Sequence, residues 1–215
     1  SVGFLNNIYD LLKADPGLVD RKVTELVVMG GLRGDDFNLV RHDLVDQTEY
    51  ILRNWPTKLV VSEHGSSVHT GARLSEAPAG NPVREAYYRW FNESYRGRSS
   101  WDQLAVLYGV EGAGDYFIED TDATGRLQNG YEWEMKPGFR SVLDPILPDA
   151  EYENIIESLM IKPPRGSDRG DINNDGSLDA VDVQIVINEV LGIATEFDGD
   201  VNGNGLLDAV DVQTV

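Results

Sequence analysis

TELVVMGG, Thr24 to Gly31, is a short, nearly all-apolar run that ends in two glycines. A strand with one wet face would alternate apolar and polar residues. A continuous run suits a strand buried on both faces of a parallel sheet. WPTKLVVSEHG, Trp55 to Gly65, reads as a second such strand. Helical spacing surrounds both. FLNNIYDLLKA (Phe4 to Ala14) repeats apolar residues at helical intervals and stops at Asp15-Pro16-Gly17. Residues 40–54, 82–92, 100–110 and 148–160 read as further helices, and Ser100 is expected to cap its helix in a capping box with Gln103. Residues 116–119 and 130–135 are expected to be antiparallel strands. Strands alternating with helices of this length give an open, mostly parallel α/β sheet with flanking helices. Ligands in such sheets sit beyond the carboxyl ends of the strands, which directs attention to Gly30-Gly31 and Ser62-Glu63-His64.

The chain ends on a different kind of pattern. DINNDGSLDAVD (Asp171 to Asp182) and DVNGNGLLDAVD (Asp200 to Asp211) start 29 residues apart, at 171 and 200, and finish identically. Oxygen-bearing residues fall at loop positions 1, 3, 5, 9 and 12, with Gly at 6, the spacing that wraps a 12-residue loop around one Ca²⁺. The first set is Asp171, Asn173, Asp175, Asp179 and Asp182 with the Ser177 carbonyl. The second is Asp200, Asn202, Asn204, Asp208 and Asp211 with the Leu206 carbonyl. Weaker binding is expected in the second loop, where Asn204 stands at the position of Asp175 and ligand charge is lower. Pro163 and Pro164 exclude a helix entering the first loop. VQIVINEVLG (Val183 to Gly192) follows it as a short helix, whereas only VQTV follows the second loop, so the second helix is expected to be missing.

Composition removes several function classes. A chain of 215 residues has room for one medium domain and a small one, and 41% hydrophobic content with four Trp and nine Tyr supports a packed core. A net charge of −19 argues against nucleic-acid binding through a basic face. No Lys or Arg occurs from Asp171 to Val215, the expected signature of cation-binding loops. Cysteine is absent, which excludes thiol chemistry and disulfides. No run of about 18 apolar residues predicts a membrane span. The chain opens at Ser1 directly into domain-like sequence and reads as a piece of a longer protein. Calcium loops of this kind suit a secreted or cell-surface setting. His42, His64 and His69 share no zinc-ligand spacing, and Glu119, Asp120 and Asp122 read as a solvated turn.

The paired loops, each ending in Asp and followed by a helix, resemble the type I dockerin over residues 170–215, after a linker at 162–169. That resemblance implies two bound Ca²⁺ and a cohesin domain of an extracellular scaffold as partner. Loop positions 10 and 11, here Ala180-Val181 and Ala209-Val210, would contact it. The identical pair in both repeats would permit two binding orientations.

Residues 1–161 resemble the inosine-uridine-type nucleoside hydrolases. The strings ELVVMGG, DDFN (Asp35 to Asn38), WPTKLVVS, NPVREAYYRWF and GRSSWDQLAVLYGV carry the likeness, in that order. It implies hydrolysis of the N-glycosidic bond of ribonucleosides, with a Ca²⁺ holding the ribose hydroxyls and a water. By the same resemblance, Asp102 would be a metal ligand, the Val2 carbonyl another, and Asp36 and Asn38 would bind the sugar. Trp101 stands where several members place a His proposed to protonate the leaving base. The family's Asp-rich loop, roughly DxDxxxDD, does not occur in the chain, so catalysis by these residues alone is not expected. The alternative reading is a non-catalytic ligand- or glycan-binding protein tethered to a surface assembly by its dockerin; in a third reading the larger domain is only a spacer.

Overall fold

The computed structural model describes residues 1–31, 37–122, 124–162, 170–173 and 178–214. Its elements follow the chain as α1 (Asn6–Ala14), α2 (Pro16–Lys22), β1 (Glu25–Met29), α3 (Phe37–Val40), α4 (Val45–Asn54), β2 (Lys58–Ser62) and β3 (His69–Thr70). Then come α5 (Pro82–Trp90), β4 (Arg98–Ser99), α6 (Trp101–Glu111), β5 (Phe117–Asp120), β6 (Thr124–Arg126) and β7 (Glu132–Glu134). The order closes with β8 (Arg140–Pro145), α7 (Asp149–Ile161), α8 (Ala180–Val190) and α9 (Ala209–Thr214).

The main sheet runs β1-β2-β8-β5. β1, β2 and β8 are parallel, with Val27 opposite Val60 and Val60 opposite Ser141, while β5 joins β8 antiparallel. The sheet is therefore mixed. Side chains alternate across it as the pleat demands. Leu26, Val28, Leu59, Val61 and Val142 enter one core with Leu12 of α1, Val19 of α2 and Ile51 of α4. Val60 and Leu143 enter the opposite core with Leu104 and Tyr108 of α6 and Tyr152 and Ile156 of α7. Helices cover both faces, a three-layer α/β/α arrangement. Residues 172–212 build a small core of their own from Ile172, Val186 and Val201. Among the described residues no helix is long and apolar enough to cross a membrane.

Several expectations need correction. α1 stops at Ala14 as expected, with Asp15 outside the helical region (φ −153°, ψ 83°), but a helix that was not expected follows at once: the Asp15 carboxylate accepts from Leu18 N at 2.8 Å and caps α2, with Pro16 at its first position. β8, a central strand, was not anticipated, because RSVLDP holds only two adjacent apolar residues before Asp and Pro. β5 and β7 are antiparallel strands as expected, but not partners of each other: β5 pairs with β8, and β7 forms a hairpin with β6. β1 alternates buried and half-buried residues, as an edge strand does, whereas β2 is buried on both faces. Helix begins in earnest only at Val45, since His42 and Asp43 take left-handed φ of 58° and 60°. Glu119 belongs to β5, where it accepts from Lys58 Nζ and Tyr108 Oη at 2.7 Å each.

Candidate functional site

A cleft of about 390 Å³ opens beyond the carboxyl ends of β1 and β2, where Met29-Gly30 and Ser62-Glu63 form its floor. Val2, Asn38 and the adjacent pair Trp101-Asp102, from three distant parts of the chain, all line it. Two glycines explain why the walls can approach. A Cβ at Gly30 would meet the Leu39 side chain at 3.0 Å. A Cβ at Gly65 (φ 141°) would stand 2.5 Å from the Trp101 backbone. Instead the Gly65 carbonyl accepts from Ser100 N at 2.9 Å, docking the start of α6 against the loop after β2.

Asn38 is 5% exposed and donates through Nδ2 to the Met29 carbonyl at 3.0 Å, which ties it to the end of β1. Its Oδ1 has no partner among the described residues and remains able to accept a hydrogen bond. Asp102 occupies the first turn of α6, where the helix dipole favours a carboxylate. Burial nonetheless pushes its carboxyl above the usual range, while Arg98 and the terminal amino group pull it back. The expected capping box is not formed: Ser100 Oγ donates to the Arg98 carbonyl and bonds Thr70 Oγ1, and Gln103 Nε2 donates to Tyr87 Oη at 3.0 Å.

Tyr87, Arg98 and Gln103 join the cleft lining beyond the residues expected from sequence. They lie inside NPVREAYYRWF and GRSSWDQLAVLYGV, but nothing in their local pattern separates them from helix-surface residues. His64, adjacent to the floor, turns away and bonds Asp149 Oδ1 through Nε2 at 2.9 Å. Asp36 lies outside the described residues. Ca²⁺ takes six to eight oxygens. Asp102 and the Val2 carbonyl fall short of that number. Among the described residues, no three Asp, Glu or His side chains gather into a group that could hold a metal ion. The described cleft does not by itself make up a calcium site.

The C-terminal loops rely on asparagines and carbonyls besides carboxylates. In the second, Asp200 accepts from Asn204 N at 3.0 Å and Gly205 N at 2.7 Å, folding the loop back on its first residue. Gly205, at position 6, takes φ 79°, the left-handed turn the wrap requires. Asn202 Oδ1 accepts from Asn204 N, and Asn204 Oδ1 from Leu206 N. The position-12 carboxylates are inaccessible to solvent in both repeats. Asp182 accepts from Ile172, Asn173 and Asp179 N–H groups, and Asp211 from Asn202 and Asp208 N–H groups. These bonds, led by that of Asp179 or Asp208, hold both carboxyls below the usual Asp range. Asp179 and Asp208 instead accept from Val181 N and Val210 N at the helix starts. Asp171 is 5% exposed. Asp175 and Ser177 lie outside the described residues. The donor chemistry and the glycine turn of the second loop fit Ca²⁺. Ala180, Val181, Ala209 and Val210 are exposed at the helix N-termini. No protein-family model matches the chain, and no curated protein matches it.

Proposed function

We propose that residues 1–161 form a nucleoside hydrolase-like domain whose cleft accepts the ribose of a ribonucleoside, and that residues 170–215 are a dockerin-like calcium module of a secreted or surface protein. One observation supports the first part most: Val2, Asn38 and the Trp101-Asp102 pair, singled out at three separate places in the sequence, line a single cleft beyond the ends of parallel strands. The Asn38 carboxamide would accept a ribose hydroxyl while its Nδ2 stays on Met29. Asp102 would accept a second hydroxyl, and Trp101 and Tyr87 would screen the sugar from water. In the module, Asp200, Asn202, Asn204, Asp208 and Asp211 with the Leu206 carbonyl would hold one Ca²⁺, and Asp171, Asn173, Asp175, Asp179 and Asp182 with the Ser177 carbonyl another. The exposed Ala-Val pairs would meet a cohesin domain.

Hydrolysis needs a base to activate water. No such step is assigned here, because the cleft donors fall short of a metal site and DxDxxxDD is missing from the 215 residues. Trp101, at the position of a leaving-group acid, favours a second reading in which the cleft only binds.

Titration calorimetry with a ribonucleoside and its 2′-deoxy counterpart tests the cleft. The expected result is tighter binding of the ribonucleoside and a roughly fivefold loss in Asn38→Ala, the size of one hydrogen bond. Equal affinity for both sugars, unchanged in the variant, overturns the ribose assignment. An oligosaccharide bound in place of either nucleoside supports the second reading.

A further inference from the structure

We infer that Glu189, which lies at no ligand position of either loop, braces the second loop from outside and sets its calcium affinity; the inference rests on the calcium reading above. Glu189 lies in the last turn of α8, the helix whose first turn is capped by Asp179 and Asp182 of the first loop. Its carboxylate reaches across to the segment entering the second loop. One oxygen accepts from Thr195 Oγ1, and Oε2 accepts from Gly199 N at 2.5 Å.

Gly199 immediately precedes Asp200, the first residue of the second loop, and is buried. A Cβ there would run into the Glu189 carboxylate and meet Leu207 at 3.3 Å, so glycine is what lets the brace close. Thr195 Oγ1 also accepts from Phe197 N at 3.2 Å, and Val201 N donates to the Gly199 carbonyl at 2.9 Å. Residues 195–201 are thus folded around one carboxylate. Asp200 hangs from that anchor and in turn gathers the Asn204 and Gly205 N–H groups. Without the anchor, the ordering of Asp200 must be supplied at the moment of binding, which weakens affinity. An acceptor withdrawn from a buried N–H leaves that group unsatisfied, a loss large enough to matter.

Calcium titration of the whole chain after EDTA dialysis, with Asp200→Ala marking the second site, tests this. Glu189→Ala is expected to weaken the second site about tenfold and leave the first unchanged. Glu189→Gln keeps an acceptor for Gly199 N while removing the charge, so it should retain most of the affinity. Thr195→Val should lie between wild type and Glu189→Ala. Two sites in Glu189→Ala with wild-type affinities overturn the brace and leave the calcium reading standing. Equal weakening in Glu189→Ala and Glu189→Gln overturns it too, assigning the effect to charge. A wild-type chain that binds no Ca²⁺ overturns both. Retention of the first site in each variant reports that the module remains folded.

Discussion

Gly65→Ala tests how the cleft is assembled, and Gly112→Ala is its internal control. Both glycines have positive φ, 141° and 74°, and they flank the same helix: Gly65 docks the start of α6, and Gly112 caps its end by donating to Tyr108 O at 2.8 Å. They differ in surroundings. A Cβ at Gly112 meets nothing within 4 Å, so alanine there carries only the backbone strain of a glycine-only conformation (φ 74°, ψ −165°), about 1–3 kcal/mol, with no packing clash. A Cβ at Gly65 would stand 2.5 Å from Trp101 Cα and N and 2.9 Å from the Ser100 carbonyl carbon. Ordinary contact begins near 3.4 Å, so the start of α6 must retreat by about 0.9 Å. All the opposing atoms are backbone, and no rotamer change relieves them. Strain of about 1–3 kcal/mol at a glycine-only conformation adds to an overpacking term of about 1–3 kcal/mol. The total of roughly 2–6 kcal/mol is a large share of the about 5–15 kcal/mol that holds a typical domain. Urea denaturation of the three proteins gives the comparison directly. Gly65→Ala should lose more stability than Gly112→Ala, and it alone should weaken ribonucleoside binding, because Trp101 and Asp102 move with the helix start. If the two variants lose the same stability, the close approach does not exist and this assembly of the cleft is wrong.

Arg140 is 6% exposed and donates to the carbonyls of Trp55, Thr57 and Phe139; burial lowers its guanidinium to about 10. Arg140→Met strands these acceptors and should cost about 3 kcal/mol in urea melts; a loss below about 0.5 kcal/mol contradicts this role. Asp182 and Asp211 are held below the usual carboxylate value of 3.8, so their contribution is present above that value and is lost as pH falls through their folded pKa. In EDTA, hydrogen-exchange protection factors over residues 178–212 should therefore fall as the pH drops below about 4, and protection factors that stay constant would refute it. Dialysis against Ca²⁺ should leave two ions per chain, and excess ion at about a hundredfold over Kd should stabilise the module by about 2.7 kcal/mol per site, about 5.4 kcal/mol for both. Melting of residues 170–214 that is indifferent to EDTA would contradict both sites.

What could be read from the sequence depended on how far each signal was local. β2 announced itself because LVV runs unbroken between Lys58 and Ser62, and the parallel pairing with β1 followed from two such runs separated by helix. β8 lies between them and β5 in the sheet, but its apolar content is divided between the two cores, Val142 to one and Leu143 to the other. Its place is set by tertiary pairing more than by pattern. Asp15-Pro16 was ambiguous for a chemical reason: the same pair ends one helix and caps the next. At the cleft, Asn38 and Asp102 stood out through their motifs, whereas Tyr87 and Arg98 owe their role to the packing of α5 and β4 beside α6. Glu189 gave no local sign, since its partner Gly199 lies ten residues onward and is recognisable only in three dimensions.

The most direct test is a crystal structure of the protein with ribose bound. Ribose should lie beyond the carboxyl ends of β1 and β2, with a hydroxyl on Asn38 Oδ1 and another on Asp102. Ribose located elsewhere, for example in the open groove between α4 and β7 beside Tyr131 and Arg53, would contradict the account, as would a cleft that stays empty at saturating sugar.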